Sequence, residues 1–152
     1  MAFLSSLNIP LSGMTAERFR LDIISQNIAN ADNVASTPEE AYKRQMVVFG
    51  EDKTFKKLLF AKLNSGEIAS HNYVKYRAVE AKAVVDDPTP AEPVYDPTHP
   101  LADERGYIYE SNVDVATEQL DATEAENMYS ANMAVFEVVK SMASKALTLG
   151  KG

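Results

Sequence analysis

The chain has 152 residues, 45% hydrophobic and 24% charged, which is one ordinary globular domain's worth and not a disordered segment. A formal net charge of -7, with no basic stripe interleaved with aromatics, argues against a nucleic-acid partner. With no cysteine at all, disulfides, thiolate metal sites and cysteine nucleophiles are excluded.

Met1 to Leu11 carry no basic residue and no long apolar run, so neither a Sec signal nor a membrane span is expected there. Leu4, Leu7, Leu11, Met14, Leu21 and Ile28 fall on one three-four seam, interrupted by Arg18 and Ser25 and widened by Ile23 and Ile24. Pro10 suits a first helical turn, which starts the main helix near it. Gly13 weakens that helix by about 1 kcal/mol relative to Ala. The run Asn30-Ala31-Asp32-Asn33 closes it, because Asn and Asp tolerate the left-handed turn that ends helices.

Ser12-Gly13-Met14-Thr15-Ala16-Glu17-Arg18, then Leu21-Asp22-Ile23-Ile24-Ser25-Gln26-Asn27-Ile28-Ala29-Asn30-Ala31, resembles the N-terminal signature of the bacterial flagellar rod and hook proteins. For Asn27 and Asn30 two readings stand together. They are helix-end chemistry, or polar side chains on a packed face that fix helix register between subunits.

The middle, 36–112, has a different texture. Pro38, Glu39 and Glu40 mark a loop, and Gln45 to Phe49 reads as a strand. Phe55, Leu58, Leu59 and Leu63 keep helical spacing before Gly66, with Lys53, Lys56, Lys57 and Lys62 as a solvated face. Tyr73 to Val85 alternates enough to be a strand or hairpin arm. Pro88, Pro90, Pro93, Pro97 and Pro100 cannot lie inside central strands, so 86–112 should be loop and sheet edge.

Val113 and Asp114 lead into an unbroken helical pattern that runs to Leu149, ~54 Å at ~1.5 Å per residue. Met128, Ala131, Val135, Val138, Met142 and Leu149 make a coiled-coil seam with Lys145 its one miss. A second row, Met133, Phe136, Val139, Ala143 and Leu147, lies roughly a third of a turn round. Pairing with the N-terminal helix covers one face only. About five large side chains, such as Val135, Phe136, Val139, Met142 and Leu149, would stay exposed, leaving ~10 kcal/mol of transfer free energy unused in a monomer.

Nothing in the chain assembles a catalytic, cofactor or metal site. His71 and His99 have no ligand partner at helical spacing, and His99 reads as a turn residue. Asp86-Asp87 and Asp103-Glu104 read as surface acids. Asp121, Glu124 and Glu126 suit the positive end of the last helix. No phosphate-cradling glycine loop or nucleophile elbow occurs.

Two more blocks resemble the same family, and its proximal rod members in particular. One is Tyr95 to Asp103 with Gly106-Tyr107-Ile108 and Asn112-Val113-Asp114-Val115; the other is Ser141 to Gly150. The resemblance does not extend to 67–83. It implies a mainly α fold with a small β part: an N-terminal helix (1–35) and a long C-terminal helix (113–152) paired antiparallel as a coiled coil, with a β-containing middle inserted between them. It implies a structural subunit of the rod, with no enzymatic activity, cofactor or small-molecule substrate. Its partners would be further copies of itself, other rod proteins and the flagellar export apparatus. The location would be the periplasmic rod of the basal body, reached without a Sec signal. Its subunit contacts would involve Leu7, Leu11, Met14, Leu21, Ile24, Asn27, Ile28, Asn30, Met128, Val135, Phe136, Val138, Val139, Met142 and Leu149. Another rod or hook axial protein, and a soluble helical adaptor or export chaperone, are the alternatives.

Overall fold

The computed structural model describes residues 7–51 and 78–149. Leu4 of the first seam, the helical spacing of Phe55 to Leu63 with its lysines and Gly66, His71, and the strand alternation before Ala78 lie outside the described residues. Helix α1 spans Asn8–Ala29 and helix α2 spans Val115–Leu149, with five short strands between: β1 Val34–Ala35, β2 Gln45–Glu51, β3 Val79–Asp86, β4 Glu92–Tyr95 and β5 Tyr107–Glu110. The fold is mainly α, with its small β part in the middle.

Helix α1 carries Pro10 in its first turn, where a missing N–H costs nothing. Its end differs from the expected left-handed turn. Asn30 has φ -108° and ψ 6°, and no described residue other than Gly106 has positive φ. Instead the amide of Asn30 donates to the carbonyls of Gln26 and Asn27, its side chain donates to Gln26, and Asn33 donates to the Asn30 side chain. Asparagine side chains meet the free carbonyls directly, so no backbone inversion is needed.

Helix α2 begins on Asp114, whose carboxylate accepts from the Ala116 amide (3.0 Å) and the Thr117 hydroxyl (2.6 Å). These bonds hold the Asp114 carboxyl below its ordinary range. With 35 residues the helix is ~52 Å long.

The two helices pack against each other. Gly13 meets Asn132, Arg20 meets Asp121 and Glu124, and Asn27 meets Glu118, so rising numbers on α1 match falling numbers on α2. On α1 this face runs through Gly13, Ala16, Arg20, Ile23 and Asn27. On α2 the less exposed side runs through Glu118, Ala122, Ala125, Tyr129, Asn132 and Phe136, in steps of four and three. The row read from the sequence as a seam is not the face that meets α1. Met128, Ala131, Val135, Val138, Met142 and Leu149 lie about a third of a turn away and are exposed. The face that meets α1 opens with a glutamate and contains asparagine, so a count of apolar residues passes over it.

Strands β2 and β3 pair antiparallel, with an irregularity between Val48 and Phe49, and both rest against α1. Strands β1, β5 and β4 form a second antiparallel sheet in that order. Pro93 sits on β4, an edge strand, where its missing donor breaks no ladder. The β4–β5 connection contains His99 as a turn residue, its Nδ1 accepting from the Leu101 amide. It turns back at Gly106, whose φ of 82° and closeness to the Tyr95 ring leave no room for a side chain.

A Cβ at Gly13 would come within 2.8–2.9 Å of the Asn132 side chain. Gly13→Val should therefore force the helices apart and lower stability by about 1–3 kcal/mol, despite valine's better helix propensity. Thermal melts should show Asn132→Ala restoring most of that loss, because it empties the same space.

Candidate assembly surface and the polar joint behind it

Where α1, α2 and the start of β2 meet, the enclosed side chains are polar. Glu118 is fully buried and Asn27 is 1% exposed. The Asn27 amide donates to Glu118 Oε2 (3.0 Å) and to the Gln45 carbonyl (2.8 Å); its oxygen accepts from the Tyr42 hydroxyl (2.9 Å) and the Gln45 amide (2.9 Å). The two N–H donors of the amide face two acceptors and its oxygen faces two donors, so only one amide orientation fits. A carboxylate taken wholly out of water needs a cation, and Arg44 supplies it. Its Nε reaches Glu118 Oε1 (2.5 Å) and its Nη2 reaches Asp121 (2.7 Å). Burial works against the Arg44 charge, but the hydrogen bond and charge of Glu118, with Asp121 and Asp87, more than offset it and raise its pKa. Burial also pushes up the Tyr42 hydroxyl, helped by Glu118 and Asp86.

The Arg44 backbone is tied as well. Its amide donates to Asn112 (2.7 Å), its carbonyl accepts from the Asp87 amide (2.8 Å), and Asn112 in turn donates to the Thr89 carbonyl (2.8 Å). One turn further along α2, Arg20 bridges Asp121 (3.2 Å) and Glu124 (3.1 Å). This polar joint fixes the helix pair, strand β2 and the approach to α2 in one arrangement.

The expected contact residues divide into three groups. Ile24 and Asn27 are enclosed by the chain's own fold, so here Asn27 sets register within the chain. Leu7, Met14, Leu21, Ile28, Asn30, Phe136 and Val139 are half-buried. Leu11, Met128, Val135, Val138, Met142 and Leu149 are exposed, Leu149 by 83%. Leu11 lines an open groove of about 630 Å³ with Ser12, Thr15, Phe19 and Val79. The exposed α2 residues, joined by Leu120, form one continuous stripe. Large apolar stripes of this kind mark partner surfaces.

Sequence reasoning passed over Arg20, Tyr42, Arg44 and Glu118, and read Asp121 and Glu124 only against the helix dipole. The available signal was Arg20, standing at three-four spacing between Ala16, Ile23 and Asn27 on a packed face. Among the described residues no group of acidic or histidine side chains could hold a metal ion, and no helix is long and apolar enough to cross a membrane.

Arg44→Met would leave the Glu118 carboxylate buried without its cation and should cost about 3–5 kcal/mol in urea unfolding. Adding Glu118→Met should recover most of that, since both charges then leave together. Glu17 behaves differently. Its Oε2 is buried with no hydrogen bond, 4.0 Å from Arg20. Burial raises its carboxyl above the ordinary value, Arg20 pulls it down and Glu124 pushes it up. A raised carboxyl supports folding below its unfolded pKa, and that support is lost as pH rises through the folded value. Melts at about pH 7 should therefore find Glu17→Gln more stable than the parent, with the difference vanishing in acid.

Two family models match the two helices. One described as "Flagella basal body rod protein" covers residues 7–35, and one described as "Flagellar basal body rod FlgEFG protein C-terminal" covers 104–149. Over whole chains, the flagellar basal-body rod protein FlgC of Escherichia coli O6:H1 is 35% identical across 99% of this chain and all of its own length. FlgC of Bacillus subtilis is 31% identical across 99% of this chain and its full length. FlgC of Borreliella burgdorferi is 30% identical, with both chains covered in full. The polar joint and the open stripe thus sit on a scaffold shared end to end with rod proteins, and the chain belongs to the FlgC family: it is a structural subunit of the flagellar basal-body rod, not an enzyme.

Proposed function

We propose that α1 and α2 pair as an antiparallel coiled coil, that this pair builds the inner tube of the rod, and that the β-containing middle forms an outer layer. Copies of this chain and other rod proteins then meet through the terminal helices in head-to-tail, helical contact, the geometry of open assemblies. The assembly carries torque from motor to hook by packing alone. The subunit reaches its place through the flagellar export apparatus.

The observation that carries this reading is the unpartnered side of α2. Leu120, Met128, Val135, Val138, Met142 and Leu149 are between 50% and 83% exposed. Burying the exposed half of each is worth about 1 kcal/mol, of order 6 kcal/mol in all. That is comparable to the whole stability of a typical domain. The register Gly13–Asn132 and Asn27–Glu118 also sets the start of α1 near the level of Glu137, so Val138, Met142 and Leu149 lie beyond the described part of α1.

Val138→Asp should leave the chain folded, because the side chain is 59% exposed, yet abolish rod assembly by placing a charge in a packed contact. The expected result is unchanged helical circular dichroism in the purified variant, with no motility and no structure distal to the rod base in images of basal bodies. Normal rods in cells that make only this variant would overturn the reading.

A further inference from the structure

We infer that in the assembled rod the open groove between α1 and β3 receives the far end of α2, residues 138–149, from a neighbouring copy of this chain. The inference rests on the assembly reading above and adds which surface takes the unpartnered helix end.

The groove runs beside α1 from Asn8 to Phe19, ~17 Å of helix, with residues 78–81 at the start of β3 as its other wall. Leu11, Phe19 and Val79 leave apolar surface open in it. Its two hydroxyls are already committed. Ser12 donates to the Ile9 carbonyl (2.7 Å) and accepts from the Val79 amide (3.1 Å), and Thr15 donates to the Leu11 carbonyl (3.0 Å). The groove therefore asks its occupant for apolar side chains rather than hydrogen bonds. One acid lines it, Glu80, which is exposed and has no ion pair among the described residues. Lys82, two residues on, lies across Gly50 instead.

The end of α2 answers both requirements. Val138, Met142, Lys145 and Leu149 share one face, at steps of four, three and four. An apolar face with one base thus meets an apolar groove with one acid, and Lys145 is likewise without an ion pair among the described residues. The lengths agree as well, since 138–149 makes ~18 Å of helix.

A chain cannot fill its own groove this way. Gly13 meets Asn132 and Asn27 meets Glu118, which sets the start of α1 near the level of Glu137 and sends 138–149 past it, away from the groove. A second copy displaced by ~18 Å along the helix axes brings its groove level with that end, with Thr15 beside Met142 and Asn8 beside Leu149. Lys145 then falls level with Ser12, whose hydroxyl holds Val79, the neighbour of Glu80. The contact joins two different surfaces, so a copy that gives its helix end keeps its own groove open for the next, and the row propagates.

Cysteine pairs in isolated basal bodies test this, because the chain has no cysteine of its own. In cells that swim, Thr15→Cys combined with Met142→Cys should link through a short bifunctional thiol reagent into products of two or more chains. Either variant alone should give no such product. Asn8→Cys with Leu149→Cys is the second pair and serves where the first stops motility. Glu80→Lys and Lys145→Glu should each cut the number of complete basal bodies about tenfold, and the two together in one chain should restore it. Links confined to a single chain, no link in rods of normal appearance, or a double charge variant no better than the single ones would overturn the inference. Rods that form without this link leave the rod reading standing, since Val138→Asp tests that reading by whether rods form at all.

Discussion

A carboxylate with no exposed surface is the constraint from which the rest of this structure follows. Glu118 has to be neutralised, and Arg44 does so, brought out of the connection between the helices and set against the start of α2. Its second oxygen needs a donor, which Asn27 provides from α1. Once Asn27 is placed there, its remaining groups claim Gln45 and Tyr42, and the first residue of β2 is set as well. Three segments far apart in sequence are thus brought to one point by the need to satisfy a single ion. A buried pair of this kind contributes little net stability, because desolvation cancels most of the attraction, but a wrong packing that strands the ion costs several kcal/mol. Its effect is on which arrangement forms.

The two sides of α2 divide the labour. The side toward α1 is narrow, with Ala122, Ala125 and Asn132 letting the helices approach closely and Gly13 receiving the Asn132 side chain. The other side carries methionine, valine and leucine that are exposed among the described residues. Folding within the subunit thus relies on small residues and matched polar groups. On the assembly proposed above, the large apolar residues are left for contacts between chains, so folding and assembly would draw on different side chains.

Much of this was legible in the sequence. The long last helix, its start at Asp114, the Gln45 strand and the edge position of Pro93 all follow from periodicity and from what proline and aspartate do to a backbone. The exposed stripe was legible too, since Met128, Val135, Val138 and Met142 keep strict spacing. Which side of α2 would meet α1 was not. Hydrophobic periodicity finds faces buried by apolar transfer, and the face used here is held by Glu118, Arg20, Asn27 and Asn132, each of which scores as polar. Arg44 was illegible for another reason. Its role depends on the chain folding back between residues 30 and 45, a tertiary event with no local signature.

The four hydrogen bonds of the Asn27 side chain have one more consequence. They use every donor and both lone pairs, so the amide has no alternative partner to slide to when β2 is twisted about α1. A joint of apolar groups would give a little under load, trading one contact for the next. This one has no intermediate setting: it resists until several bonds let go together, at a combined cost of about 4 kcal/mol. The subunit is built to be stiff up to a breaking point, which suits a part that turns under load and must not creep.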